Sequence, residues 1–506
     1  MKNNEQKVWT GLEQLEQSPE FIKIAEQEFQ HTSLEELITK ENALNFASNR
    51  RDFLKYLGFG IGAATIAASC EIPVKKALPY VTKPDTIVPG VSTYYASTFA
   101  KGGDYCAILV KTRDGRPIKI EGNTLSPITM GGTSARVQAS VLDLYDSNRY
   151  QNAMKVSNGK ATATTWEDLD KDVLAKLAGA KNIRIVTNTL LSPTAKKAIG
   201  EFTAKYPGSK WITYDAVSYN GVLNANLNSF GQRVIPTYNF EKATTIVSFA
   251  CDFLGTWNSP IEYARKYAKT RRIDEVKGAK MSRHFQVESQ MSFTGSNADN
   301  RILVKPSEQG AAIANLYNAV AAANGGAQIS APKLNEKAVK GLAEVAKELN
   351  ANKGTCIVVS GSNNEFDQIL VNKINDLLGS YGSTIDFNHV SYQRQGDDTA
   401  IQGLITEMNA GSVGAVIVIE SNPVYDLPNG DQFKQGLAKV GLKIAATYSP
   451  NETAVACDYI AATHNYLESW GDAEAKSGYY SLTQPTISPL FKTRQYEESI
   501  LRWCAS

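Results

Sequence analysis

The chain has 506 residues, 42% of them apolar and 21% charged, with a formal net charge of +2. That length points to about two to four domains with a large buried core. Lys and Arg are dispersed among Asp and Glu, which excludes the basic stripe of a nucleic-acid-binding protein.

The cysteines Cys70, Cys106, Cys251, Cys356, Cys457 and Cys504 and the histidines His31, His284, His389 and His464 are scattered along the chain. No CxxC pair or clustered iron–sulfur or zinc spacing is present, so the sequence predicts no metal ligand.

Residues 1–49 form a Glu-rich preface. Ser18-Pro19-Glu20 and Ser33-Leu34-Glu35-Glu36 read as helix starts, and a disordered acidic leader is the competing reading. Residues 50–70 follow as Arg50-Arg51-Asp52-Phe53-Leu54-Lys55 and a short run rich in Gly and Ala, ending at Cys70. Arg50, Arg51, Phe53, Leu54 and Lys55 resemble a twin-arginine export signal, and the apolar run is too short to span a bilayer comfortably. Ala67-Ala68-Ser69-Cys70 resembles a lipoprotein cleavage site, which would leave Cys70 as a lipidated first residue; an unmodified Cys70 is the alternative.

Residues 71–158 are expected to hold a Pro-rich extended linker and a small β-rich domain. Asp114-Gly115 between Tyr105–Lys111 and Pro117–Glu121 predicts a hairpin, and Ala135–Tyr145 a helix. From Thr165 the pattern alternates. Helices are predicted at Trp166–Leu177, Pro193–Tyr206, Ile261–Thr270, Ala311–Asn324, Glu336–Leu349 and Glu365–Leu378. Strands are predicted at Ile183–Thr187, Lys210–Tyr214, Thr245–Phe249, Cys356–Ser360, Ala415–Ile419 and Lys443–Thr447. This is an α/β pattern with a mainly parallel sheet. The Gly/Ala-rich stretch Ala321–Gln328 suggests a boundary, giving α/β units at 159–325 and 326–506, either separate or sharing discontinuous sheet segments.

Gly115-Arg116-Pro117-Ile118-Lys119-Ile120-Glu121-Gly122-Asn123, Gln138–Asp146 with Arg149, Ser248–Trp257, and Ile417–Pro428 with its Ser421-Asn422-Pro423 resemble segments of molybdopterin oxidoreductases. The resemblance implies a small β-rich first domain followed by doubly wound α/β units. It also implies that loops at the carboxyl ends of strands once held a dinucleotide cofactor. The preface, the internal export signal, Thr294–Asp299, His464–Asp472, Gln484–Ile487 and Pro489–Arg494 resemble one branch, the large periplasmic subunit of bacterial alternative complex III.

That branch implies a non-catalytic structural half of a quinol:electron-acceptor oxidoreductase in a respiratory chain. Its implied partners are multihaem and monohaem cytochrome c subunits, integral membrane quinol-binding subunits and the iron–sulfur half of the same subunit. The expected location is the periplasmic face of the inner membrane. No catalytic, cofactor-binding or metal residue is assigned, molybdopterin is expected to be absent, and iron–sulfur clusters are expected in a C-terminal half beyond this segment. The segment reads as a fragment or as one half of a split gene.

The departures from the family pattern support that expectation. Where the family places cluster thiolates, this chain has Thr98–Cys106, and one cysteine cannot supply four ligands. No loop residue aligns as the molybdenum ligand. His464, Glu468 and Asp472 read as structural, with a turn at Trp470-Gly471-Asp472, and Arg394–Asp398 as a solvated loop. Tyr479-Tyr480 is expected to pack against a partner or the core, and Gly102-Gly103 and Gly131-Gly132 match no phosphate loop. Two rivals remain: a true molybdopterin enzyme acting on a small oxyanion or sulfur compound, and a free-standing lipoprotein binding module.

Overall fold

The computed structural model describes Val88 and residues 90–157, 159–273 and 280–504. All of them belong to one compact unit, Pro84–Ser506. The preface, the export motif Arg50–Lys55 and Cys70 lie outside the described residues.

Chain order runs β1 (Ser92–Lys101), β2 (Asp104–Arg113) and β3 (Arg116–Gly122), then β4 (Met154–Ser157), β5 (Lys160–Ala163), β6 (Ile183–Thr187) and β7 (Lys210–Thr213). It continues with β8 (Ile235–Tyr238), β9 (Thr245–Phe249), β10 (Arg283–Glu288), β11 (Asn300–Leu303) and β12 (Cys356–Ser360). The last strands are β13 (Ile385–Ser391), β14 (Ala415–Ile419), β15 (Leu442–Thr447), β16 (Tyr459–Ala462), β17 (Gly471–Lys476) and β18 (Tyr479–Thr483).

β1–β3 form an antiparallel meander. Asp114 and Gly115 both have positive φ, 50° and 74°, the backbone that a tight two-residue hairpin requires. One face of this sheet buries Phe99, Cys106, Ile108, Val110 and Ile120 against the helix Ala135–Leu144. Ser134 caps that helix by accepting the Val137 amide hydrogen at 3.3 Å.

Two parallel arrays dominate the rest. β6 (IRIVT), β9 (TIVSF), β12 (CIVVS) and β14 (AVIVI) are buried at every position. Such continuous burial is what helices on both faces of a parallel sheet impose. One sheet has the order β11-β10-β9-β12; the other has β5-β4-β16-β15-β14-β6-β7 with an antiparallel β4–β5 edge. A third, antiparallel sheet joins β18-β17-β13-β8.

A cut near residue 325 would sever both parallel sheets, because β9 pairs with β12 and β6 with β14. The two α/β units are therefore nested: residues of β9–β12 form a unit inserted between the halves of the seven-stranded sheet. The stretch after the helix Gln309–Ala323 is a loop inside the inserted unit. Among the described residues, no helix is long and apolar enough to cross a membrane.

Candidate functional site

In each parallel sheet the strand order reverses between two neighbouring strands, β9 and β12 in one and β6 and β14 in the other. Loops leaving the carboxyl ends of such strands diverge and open a crevice, the usual ligand position in open α/β sheets. The chain has a cavity at each reversal.

The two reversals share a backbone device. Ala250, directly after β9, and Glu420, directly after β14, both have φ of 45°, a conformation that side chains other than glycine rarely adopt. Each still donates its amide to the neighbouring strand, Ala250 to the Val287 carbonyl at 2.8 Å and Glu420 to the Ala446 carbonyl at 2.9 Å. Gly361, after β12, comes so close that a Cβ would lie 2.5 Å from the Ala250 carbonyl oxygen.

The larger cavity, about 930 Å³, lies between the inserted unit, the meander and the outer α/β unit. Gly102 and Asp104 come from the β1–β2 turn, Asn188 and Asp215 from the ends of β6 and β7, and Trp257 and Asn258 from the loop after β9. Arg136 and Arg394 supply its cations, and both form ion pairs with Asp104. Arg394 also donates to the Gly102 carbonyl at 3.2 Å and the Gln393 carbonyl at 2.8 Å. It is only 9% exposed, so the expectation of a solvated Arg394–Asp398 loop is corrected. The Asp104 carboxylate and two carbonyls replace the water that the guanidinium loses.

The acidic side chains there are also engaged. Asp215 accepts from the Thr189 amide at 3.1 Å, the Thr189 hydroxyl at 2.8 Å and the Gly396 amide at 3.0 Å, tying three loops together. Asp252 accepts from the Thr294 amide at 2.9 Å and hydroxyl at 2.7 Å. Asp426 accepts from the Tyr214 hydroxyl at 2.8 Å.

The fold family implies a pterin dinucleotide here, a group carrying diphosphates. The donor set does not fit such a polyanion. Four carboxylates, Asp104, Asp215, Asp252 and Asp426, line the cavity against two guanidiniums already paired to one of them. Helix N-termini also face the cavity and would favour an anion. Several of their amides are already taken: Val137 by Ser134, Gly221 by Asn363 at 2.8 Å, and Phe366 by Asn364 at 2.9 Å. The helix Pro260–Arg271 has no side-chain cap, but it begins with a proline, which lacks an amide hydrogen.

The smaller cavity, about 170 Å³, sits at the β6–β14 reversal and includes Lys101, Asp143, Glu420, Tyr448, Thr463 and Glu497. Lys101 donates to the Tyr448 hydroxyl and lies 3.7 Å from Asp143. Burial lowers the Lys101 ammonium pKa, but Tyr448, Glu420 and Asp143 outweigh it and hold the value above normal. Burial lifts the Glu420 carboxyl above its ordinary range, with Lys101 opposing. Burial, aided by Glu420 and Asp472, pushes Glu497 up to about 7.

Cys106, where the family places cluster thiolates, is fully buried and donates to the Gly132 carbonyl at 3.3 Å. Burial pushes its thiol up to about 12. Among the described residues, no three His, Cys, Asp or Glu side chains converge to hold a metal ion. The triplet His464, Glu468 and Asp472 disperses: His464 meets Thr493 at 2.6 Å, Glu468 pairs with Arg149, and Asp472 accepts from Thr194 at 2.6 Å. The predicted turn at Trp470–Asp472 is instead the start of β17, where Gly471 pairs with Thr483. Of the pair Tyr479-Tyr480, Tyr479 packs against the small core cluster that holds Tyr105, Ala107 and Ala473, while Tyr480 is 69% exposed. Gly102 and Gly103 form the β1–β2 turn, with φ of 56° and 79°.

Sequence reading missed Asp104, Arg136, Asp215 and Arg394. The usable signal was positional: they stand in a turn, at a helix start or just beyond apolar strands, where doubly wound folds place their ligand loops.

No family model matches the chain. The chain is 26% identical, over an alignment 518 positions long, to a menaquinone reductase, molybdopterin-binding-like subunit, from Nitratidesulfovibrio vulgaris, covering 90% of this chain and 71% of that protein. It is 21% identical over 280 residues to a dopamine dehydroxylase from Eggerthella lenta, covering 53% of this chain and 26% of the relative. Acetylene hydratase from Pelobacter acetylenicus superposes with a TM-score of 0.61 at 10% identity, over 80% of this chain and 68% of that one. The chain has the molybdopterin-oxidoreductase fold, with a strand-rich N-terminal region leading into nested α/β units.

Proposed function

We propose that this chain is a structural subunit of a quinone-linked respiratory oxidoreductase, keeping the cofactor-binding architecture without using it for redox chemistry. The observation that carries the reading is the charge of the larger cavity, where Asp104 pairs with both Arg136 and Arg394 and the four carboxylates outnumber the two guanidiniums. A polyanionic cofactor would bring more negative charge into a partly desolvated site, at a cost that grows as the dielectric falls. The lone, buried Cys106 supports the same reading. So does the Nitratidesulfovibrio relative, a molybdopterin-binding-like subunit of a menaquinone reductase.

In its finer form the reading places the chain in alternative complex III, on the periplasmic face of the inner membrane. There it would position iron–sulfur, cytochrome c and quinol-binding membrane subunits, while electrons pass through those partners. Arg50–Lys55 would direct export, and Cys70 would carry the lipid.

The test is elemental analysis of the chain purified from its native host. Less than a tenth of an equivalent of molybdenum or tungsten is expected, with no iron attributable to residues 88–504. Stoichiometric molybdenum or tungsten would overturn the reading and favour a genuine molybdopterin enzyme acting on a small oxyanion or sulfur compound. The helix N-termini facing the larger cavity are the observation in favour of that second reading.

A further inference from the structure

The solvent face of the β1–β3 meander carries an arrangement that works against its own stability. Lys111 stands directly opposite Lys119 in the β2–β3 register, and Arg113 directly opposite Arg116. Like charges opposed across a ladder are destabilising, and here two such pairs lie side by side. Lys119 has Glu121 at 3.3 Å, and Asp114 in the turn accepts from the Gly90 amide at 3.3 Å. Among the described residues, no carboxylate lies within ion-pair distance of Lys111, Arg113 or Arg116. The face therefore holds four cations against two acids.

Apolar side chains are interleaved with these cations. Lys111 reaches over the Tyr94 ring, with Nζ 5.7 Å from its centroid. Val91 turns back on Val88 through a 3.0 Å backbone hydrogen bond, beside Gly90 and the hairpin turn. Tyr94, Ile118, Val88 and Val91 are 47%, 49%, 51% and 58% exposed.

We infer that this face, built from Tyr94, Lys111, Arg113, Arg116, Ile118 and Lys119, docks on an anionic lipid surface. Lipid phosphates would neutralise Lys111, Arg113 and Arg116, for which no carboxylate among the described residues does so. Tyr94 and the aliphatic side chains would enter the headgroup region, where an aromatic ring with a polar tip is favoured. Lys and Arg can lay their stems along apolar surface while their charges reach phosphate. The choice of lipid over an acidic protein rests on the membrane-linked reading above and on the apolar side chains spread among the charges.

The test is flotation of the full chain with vesicles of phosphatidylcholine alone and of phosphatidylcholine with phosphatidylglycerol at three to one, at low and high salt. The wild-type chain should partition onto the anionic vesicles in a salt-sensitive way. The double variant Lys111→Gln/Lys119→Gln should bind about 30-fold more weakly, given the contribution of a basic residue near an anionic surface. Its melting temperature should hold or rise, because a repulsive cross-strand pair has been removed. A Tyr94→Ser variant checks the apolar contribution and should weaken binding while keeping its salt sensitivity.

Equal partition of wild type and double variant would overturn the proposal, even if both bind. So would binding that ignores phosphatidylglycerol, or loss of an acidic protein partner, and not of lipid, in the double variant. Metal content is indifferent to these outcomes, so the docking face and the scaffold reading can fail separately.

Discussion

Arg149 and Glu468, 319 residues apart in sequence, form a two-pronged ion pair with both side chains fully shielded from solvent. Nη1 meets Oε1 at 3.2 Å and Nη2 meets Oε2 at 2.6 Å. Glu468 also accepts the Asn465 amide at 2.9 Å and the Leu490 amide at 3.0 Å. Arg149 further donates to the Leu144 carbonyl at 2.9 Å, at the end of the helix that packs on the meander. One carboxylate thus joins the N-terminal helix, the loop before β17 and the C-terminal loop.

Because the pair is buried, removing one partner strands a charge. Glu468→Gln is expected to destabilise the chain by about 3–5 kcal/mol, read from chemical denaturation. His464→Ala should cost less than about 1 kcal/mol, since His464 is half-buried with a single hydroxyl partner. Comparable losses from both variants would mean that the two residues act together, which their separate partners argue against.

Acid and base should strain the molecule at different places. Burial, with Glu420 and Asp472 close by, raises Glu497 to about 7, above its unfolded value. The folded chain then holds the extra proton between about pH 4.5 and 7, so this contribution to stability falls as pH rises through that window. Glu497→Gln should flatten the slope and stabilise the chain above pH 7 by about 1–3 kcal/mol.

His284 shows the opposite sign: burial lowers it to about 4, so its contribution is lost as pH falls from about 6.5 towards 4. Melting temperatures across pH 4 to 8, for wild type and Glu497→Gln, check both. An unchanged profile in the variant would show that Glu497 is ionised throughout.

Much of the fold was legible because burial on both faces writes itself into short apolar runs. Ile183–Thr187, Thr245–Phe249, Cys356–Ser360 and Ala415–Ile419 are strands with the predicted bounds, and Thr165 caps its helix by accepting the Asp168 amide at 3.1 Å. The helix Asn220–Phe230 was missed: it is rich in asparagine and has neither an acidic first turn nor a side-chain cap. The strand Ile235–Tyr238 was hidden by its proline and its four-residue length.

The nesting of the units was illegible for a different reason. Local pattern identifies β9 and β12 as strands but carries nothing about which strand each will pair with across about a hundred residues. The same limit applied to the site, since Arg394 meets Asp104 only after the chain has closed over 290 residues.

Thiol chemistry provides a map of burial. Cys106 and Cys457 are pushed up to about 12 and Cys251 and Cys356 are also raised, in each case by burial. None of the four should react with iodoacetamide in the folded chain at pH 8, while half-buried Cys504 should react slowly. Peptide mapping by mass spectrometry, with and without guanidinium, checks this. Rapid native labelling of Cys106 would show that the meander opens where the family holds its cluster.

Gly103 tests whether the cavity depends on the β1–β2 turn. Its φ of 79° is already costly for any side chain, and an added Cβ would lie 2.0 Å from the Gln393 carbonyl oxygen. That carbonyl accepts from Arg394, so displacing it would pull the guanidinium away from Asp104. Gly103→Ala is expected to cost about 2–4 kcal/mol, well above the change usual for a surface glycine. Gly382→Ala is the control: Gly382 also has positive φ, at 79°, but has nothing within 4 Å of an added Cβ. It pays the backbone term alone, about 1 kcal/mol. If the two variants melt together, the turn does not brace the cavity wall, and Arg394 must be held by its other partners.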